Sequence, residues 1–119
     1  METIFIVDDE EDMLQTLQFY FQKEGYEVKI FTKSKDMMDL LETEKPALIL
    51  MDVNLRRNDG RTICRIIKSK YGLDAPVVLF SANADVETEY KKYNADGFIS
   101  KPFSFEQISQ AISSYLHHN

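Results

Sequence analysis

The stretch Ala47-Leu48-Ile49-Leu50-Met51-Asp52 decides the fold, because an unbroken apolar run ends abruptly in a carboxylate. Continuous runs suit a strand covered on both faces, whereas a strand with one wet face alternates. The same plan recurs on either side. Ile4-Phe5-Ile6-Val7 leads into Asp8-Asp9, and Val77-Val78-Leu79-Phe80 leads into Ser81. Glu27-Val28-Lys29-Ile30-Phe31 alternates instead and reads as an edge strand. Strands are therefore expected at Thr3–Val7, Glu27–Phe31, Ala47–Met51, Val77–Phe80 and Phe98–Ile99.

Helical spacing fills the intervals. Met13, Leu14, Leu17 and Phe21 share one face of a helix over about 11–24, which Gly25 can close. A second helix starts near Ser34 and carries Met37, Met38, Leu40 and Leu41, the two methionines being core residues. A third holds Ile63, Ile66 and Ile67 and stops before Gly72. A fourth, at about 85–93, has only Val86, Tyr90 and Tyr93 as apolar positions, with Asn94 able to close it in the left-handed conformation. In the fifth, Ser104 is the N-cap and Phe105, Ile108, Ala111, Ile112, Tyr115 and Leu116 keep the period. Five strand–helix units in 119 residues imply one α/β domain over 1–119, a parallel sheet with right-handed crossovers and helices on both faces.

Composition narrows the function classes. The formal charge of −6, from 20 acidic against 14 basic residues, argues against direct nucleic-acid binding, which needs a surplus of Lys and Arg. Arg56, Arg57, Arg61 and Arg65 form the only basic concentration and read as a solvated face. A single cysteine, Cys64, cannot form an internal disulfide and fits a reducing compartment. The first apolar run is too short for a membrane span or signal peptide, so the expectation is a cytoplasmic protein with no membrane contact.

Ligands of such sheets bind outside the carboxyl ends of the strands. The residues found there are Asp8 and Asp9, Asp52, Ser81, and Lys101-Pro102. Neighbouring carboxylates repel unless a cation neutralises them, and an all-oxygen set with open positions favours Mg²⁺. With that shielding, Asp52 can attack a phosphoryl donor, while a lysine and a hydroxyl stabilise the transferred charge. Ala82 is small and leaves access to the carboxylate. Asp8 to Glu11 could alternatively serve only as an acidic first helical turn, Asp52 or Ser81 as turn residues, Lys101 as a solvated charge and Phe98 as plain packing.

Ile-Val-Asp8-Asp9-Glu10, Leu-Met-Asp52, Phe-Ser81-Ala82 and Gly97-Phe98-Ile99-Ser100-Lys101-Pro102, in that order, resemble the response-regulator receiver domain. The resemblance spans the chain from Ile4 to the last helix. It implies a flavodoxin-like doubly wound sheet of order 2-1-3-4-5 and phosphorylation at Asp52. Asp9 and Asp52 would ligate Mg²⁺ directly, the Asn54 carbonyl would be a third ligand, and Asp8 would act mainly through water. Ser81, Ala82 and Lys101 would form the phosphoryl-binding set, Ser81 and Phe98 the switch, and Lys101-Pro102 a cis peptide. The implied donor is a histidine kinase or phosphotransfer protein, and the implied reader a downstream protein or an output domain, with homodimerisation on phosphorylation a further expectation. Such a domain is not an enzyme with a separate substrate, although it assists its own phosphorylation and dephosphorylation.

Two departures and several rival readings stand beside this. Arg56 replaces the family's usual proline, which places positive charge near the site, and Phe98 lacks the hydroxyl of the commoner tyrosine. Asn54 and Asn83 occupy positions that tune phosphoryl lifetime in the family. A haloacid-dehalogenase-type phosphatase needs Asp-x-Asp after the first strand, which Asp8-Asp9-Glu10 lacks. A flavodoxin-like redox protein needs a phosphate loop that does not follow the first strand. A receiver fold kept as a phosphorylation-independent docking module has no use for the intact acid cluster and Lys101. With no DNA-binding or catalytic segment after Asn119, the expectation is a single-domain regulator or the receiver portion of a longer one. His117 and His118 have no supporting context as phosphohistidine or metal sites.

Overall fold

In a computed structural model of the chain, residues 2–82 and 89–116 are described. Five strands, β1 (Thr3–Val7), β2 (Glu27–Phe31), β3 (Leu48–Asp52), β4 (Val77–Ser81) and β5 (Gly97–Ser100), form one parallel sheet in the order β2-β1-β3-β4-β5. The helices are α1 (Glu11–Lys23), α2 (Ser34–Leu41), α3 (Gly60–Lys70) and α4 (Phe105–Ser113), with a 3-10 turn at Tyr90–Tyr93. The alternating segment is indeed an edge strand, and β3, the continuous run, has all five residues buried.

Successive residues of each strand serve opposite cores. Phe5, Val7, Ile49, Met51, Val77 and Leu79 pack with Met37 and Leu41 of α2 and with Ile63, Cys64 and Ile67 of α3. Ile4, Ile6, Leu48, Leu50, Val78 and Phe80 pack with Leu14, Leu17 and Phe21 of α1 and with Ile108 and Ile112 of α4. Cys64 lies in the first of these cores, where burial pushes its thiol up to about 12. Among the described residues no helix is long and apolar enough to cross a membrane.

The element ends follow local chemistry. Gly25, at φ +99°, closes α1 in a conformation that residues with a Cβ rarely adopt. Asp59 caps α3 by accepting from the Arg61 N–H at 2.8 Å. Ser104 and Gln107 form a reciprocal capping box at α4. Asn94 closes the 3-10 turn at φ 66°, as expected; residues 85–88 of the anticipated fourth helix lie outside the described residues, as do Asn83, His117 and His118.

Helix α4 is shorter than its apolar period implied, ending at Ser113 with Tyr115 and Leu116 in the following turns. The Ser113 and Ser114 hydroxyls donate to the carbonyls of Gln110 and Ala111, at 3.0 and 2.6 Å, and so compete with the backbone ladder there. Leu116 nevertheless stays buried against the sheet.

Candidate phosphoacceptor and metal site

The carboxyl ends of β1, β3, β4 and β5 meet along one rim of the sheet, and each delivers its polar residue there. Parallel register sets them level: Val7 faces Met51, and Asp52 faces Phe80. Val53 N–H then donates to the Phe80 carbonyl and Lys101 N–H to the Ser81 carbonyl, which carries the pairing one step past the strands.

Asp52 is 3% exposed. Its Oδ1 accepts from the backbone N–H of Asn54 at 3.0 Å and its Oδ2 from the Lys101 ammonium at 3.0 Å. Lys101 also lies 3.7 Å from Asp8 Oδ2 and 4.8 Å above the Phe80 ring. Burial pulls the Lys101 ammonium down, but the hydrogen bond to Asp52 and the charges of Asp52, Asp8 and Glu10 outweigh it, so its pKa lies above the ordinary range. The ammonium is firmly charged.

Asp8 is fully buried. Its Oδ1 accepts from the Glu10 N–H at 2.8 Å, whereas Oδ2 has no hydrogen-bond partner among the described residues. Burial pushes its carboxyl up to about 6, and the Asp52 charge adds to this against the Glu10 hydrogen bond and Lys101. One oxygen each from Asp8, Asp9 and Asp52 lies within 4.8 Å of the others. Three hard oxygen donors, one of them a buried orphan, fit a divalent cation of the Mg²⁺ type. Lys101 supplies only a single positive charge to this set.

Of the remaining anticipated residues all but Phe98 lie at this end of the sheet, Phe98 pairing with Leu79 in mid-strand. Ser81 is buried and ends β4, and Ala82 beyond it is exposed. The Lys101-Pro102 peptide is cis, as expected. Phe98 is half-buried on β5 and stacks on Tyr90, with ring centroids 6.5 Å apart and 18° between planes. Asn54 is exposed in the loop after β3 and pairs with Asp59 in an isolated bridge.

Sequence reasoning missed three features. Gly60 stands where a Cβ would collide with the Asp52 backbone oxygen and press on Val53, so α3 starts hard against the end of β3. Asp59 ahead of the helical pattern is the kind of residue that caps a helix, but nothing in the sequence showed the close approach. Arg56 reaches back to Asp9, with Nε 3.6 Å from Oδ2. Arg56, Arg57 and Arg65 are exposed, as a solvated face requires, but Arg61 is half-buried, and Arg61 and Arg65 both lie over the Tyr93 ring, at 5.4 and 4.9 Å. Arg61 further makes a bidentate pair with Asp59, Nε donating to Oδ1 at 3.0 Å and Nη2 to Oδ2 at 2.7 Å.

A family model described as the response regulator receiver domain matches residues 4–113. The chain belongs to the response regulator receiver family. Solved structures agree with this receiver along nearly its whole length. TrrA of Thermotoga maritima, solved in complex with Mg²⁺ and BeF, is 23% identical at a TM-score of 0.87, covering 98% of this chain and 100% of that one. The BeF3-activated DrrB receiver domain is 26% identical at 0.83, with 97% of each chain covered. NtrX of Brucella abortus is 25% identical at 0.88, covering 97% of this chain and 26% of NtrX.

Proposed function

We propose that this receiver accepts a phosphoryl group on Asp52 from a histidine kinase or phosphotransfer protein, with Mg²⁺ as cofactor, and that the modification switches its binding to a downstream protein or output domain. The observation that carries this reading is the environment of Asp52: a buried carboxylate, held by Lys101 and the Asn54 N–H, with Asp8 and Asp9 within 4.8 Å. The Mg²⁺ complex of TrrA and the BeF3 activation of DrrB lend it support from relatives.

Asp9 and Asp52 would hold the metal directly, with the Asn54 carbonyl, and Asp8 would join through water. When bound, Mg²⁺ supplies the positive charge that three adjacent carboxylates lack and screens an incoming phosphate. The Asn54 N–H and Lys101 fix the Asp52 carboxylate in place, so little reorganisation is needed at the moment of attack. An Asp52 oxygen forms the new bond to phosphorus as the phosphorus–nitrogen bond of the donor histidine breaks, and the departing imidazole keeps the electron pair and takes up a proton. Lys101, the Ser81 hydroxyl and the Ala82 backbone would then receive the transferred oxygens.

Ser81 and Phe98 form the proposed switch. With no phenolic hydroxyl, Phe98 can respond only through packing, and its stack on Tyr90 is the contact that would be remade. The reading makes the protein a phosphoacceptor in the cytoplasm and not an enzyme acting on a separate substrate. Homodimerisation on phosphorylation belongs to the same proposal.

The test is intact mass after incubation with acetyl phosphate, with Mg²⁺ or EDTA, on wild type and Asp52→Asn. A Mg²⁺-dependent gain of one phosphoryl group that the variant lacks is expected. An adduct that persists in Asp52→Asn would refute the assignment, and no adduct together with no beryllofluoride binding would favour a docking module.

A further inference from the structure

Arg56 does not belong to the rim; it enters from the loop between β3 and α3. That loop is tied at three points. Gly60 N–H donates to the Val53 carbonyl at 2.8 Å, Asn58 N–H to the Leu55 carbonyl at 3.2 Å, and the Asn58 side-chain amide to Ser34 Oγ at 3.0 Å. Val53 and Leu55 are buried, so the neighbours of Arg56 are anchored while its own side chain stays 84% exposed. The guanidinium lies beside the acid cluster, Nε 3.6 Å from Asp9 Oδ2.

Two surface clefts open on Asp9, and Arg56 lines both. In the cleft shared with Glu10, Glu11, Asp12 and Thr32, Arg56 is the sole cation among the described lining residues. It is therefore the counter-ion of an otherwise acidic entrance. Its partner, Asp9, is one of the three carboxylates whose oxygens converge within 4.8 Å. A carboxylate oxygen facing a guanidinium is less available to a divalent cation, and a fixed positive charge nearby repels that cation directly.

We propose that Arg56 is a tethered cation that competes with Mg²⁺ for Asp9 and so sets the metal affinity of this receiver below what the three carboxylates alone would give. The inference rests on the metal-dependent reading above. Because Arg56 is exposed and Asp9 only half-buried, the effect is modest and screened by salt: removing the charge should tighten Mg²⁺ binding by about two- to fivefold at low ionic strength. On metal binding the guanidinium is released from Asp9 and stays at the entrance.

The experiment is a Mg²⁺ titration of the intact protein followed by the backbone amide NMR shifts of Asp9 and Asn54, for wild type, Arg56→Gln and Arg56→Lys. Arg56→Gln should bind about two- to fivefold more tightly and Arg56→Lys should stay close to wild type, with the difference closing at about 1 M salt, where screening acts within about 3 Å. Equal or weaker binding by Arg56→Gln would overturn the proposal and leave the metal-dependent reading standing. Equal tightening in Arg56→Lys, or a gain that survives high salt, would overturn it too, because loop shape and not charge would then be responsible. No Mg²⁺ binding in any of the three proteins would remove the metal-dependent reading and this inference with it.

Discussion

The Lys101 ammonium donates to Asp52 Oδ2 at 3.0 Å while standing 3.7 Å from Asp8 Oδ2, so one cation serves two buried carboxylates. Replacing Lys101 with Met would leave both without their counter-ion. Breaking a buried pair from one side costs about 3 kcal/mol, because the surviving charge remains desolvated. Urea unfolding of Lys101→Met in EDTA at pH 7 should show a loss of about that size. Millimolar Mg²⁺ should recover part of it, because the metal repairs the charge balance. A loss that Mg²⁺ does not touch would mean that Lys101 acts through packing on Phe80 alone.

Asp8 gives the metal-free protein a distinctive pH dependence. Its carboxyl is raised from an ordinary 3.8 to about 6 by burial, so the folded chain holds a proton that the unfolded chain releases between those values. Stability from this group is therefore greatest below pH 4, falls as pH rises through that window, and above about 6 the cost is complete, on the order of 3 kcal/mol. The check is the difference in unfolding free energy between Asp8→Asn and wild type in EDTA, in which the titrating groups remote from Asp8 cancel. That difference should shift in favour of the variant as pH rises from 4 to 6.5 and then level off. A flat difference would show that Asp8 is not desolvated as described.

Gly60 couples the start of α3 to the acceptor. A Cβ there would meet the backbone oxygen of Asp52, a neighbour that cannot swing aside. Gly60→Ala should destabilise the protein by about 1–3 kcal/mol, the usual cost of overpacking, although alanine is the better helix former. It should also weaken Mg²⁺ binding, since Asp52 and Asn54 must move together. Unfolding and metal titration on the same variant separate the two effects, and an unchanged stability would contradict the close approach.

Most of the fold was legible because its strands are simple signals. Ala47–Met51 reads as a doubly covered strand, and every polar residue read at a strand end, Asp8, Asp9, Asp52, Ser81 and Lys101, lies on one rim. What escaped depended on loop conformation and on close backbone approach. The positive charge of Arg56 was visible, but its partner was not, because the path from Val53 to Gly60 is set by hydrogen bonds among loop atoms rather than by any periodic pattern. Helix α4 was overextended for a related reason: the apolar period runs to Leu116, whereas the serine hydroxyls that end the helix act locally.

The central claim is that Asp52 is the residue that carries the phosphoryl group. It is tested most directly by phosphorylating the protein with acetyl phosphate and Mg²⁺, reducing with borohydride and mapping the peptides by mass spectrometry. Reduction of an aspartyl phosphate leaves homoserine at the modified position. Homoserine at position 52, lost when EDTA replaces Mg²⁺, is the predicted result. Homoserine at position 8 or 9, or an adduct that borohydride cannot reduce, would contradict it.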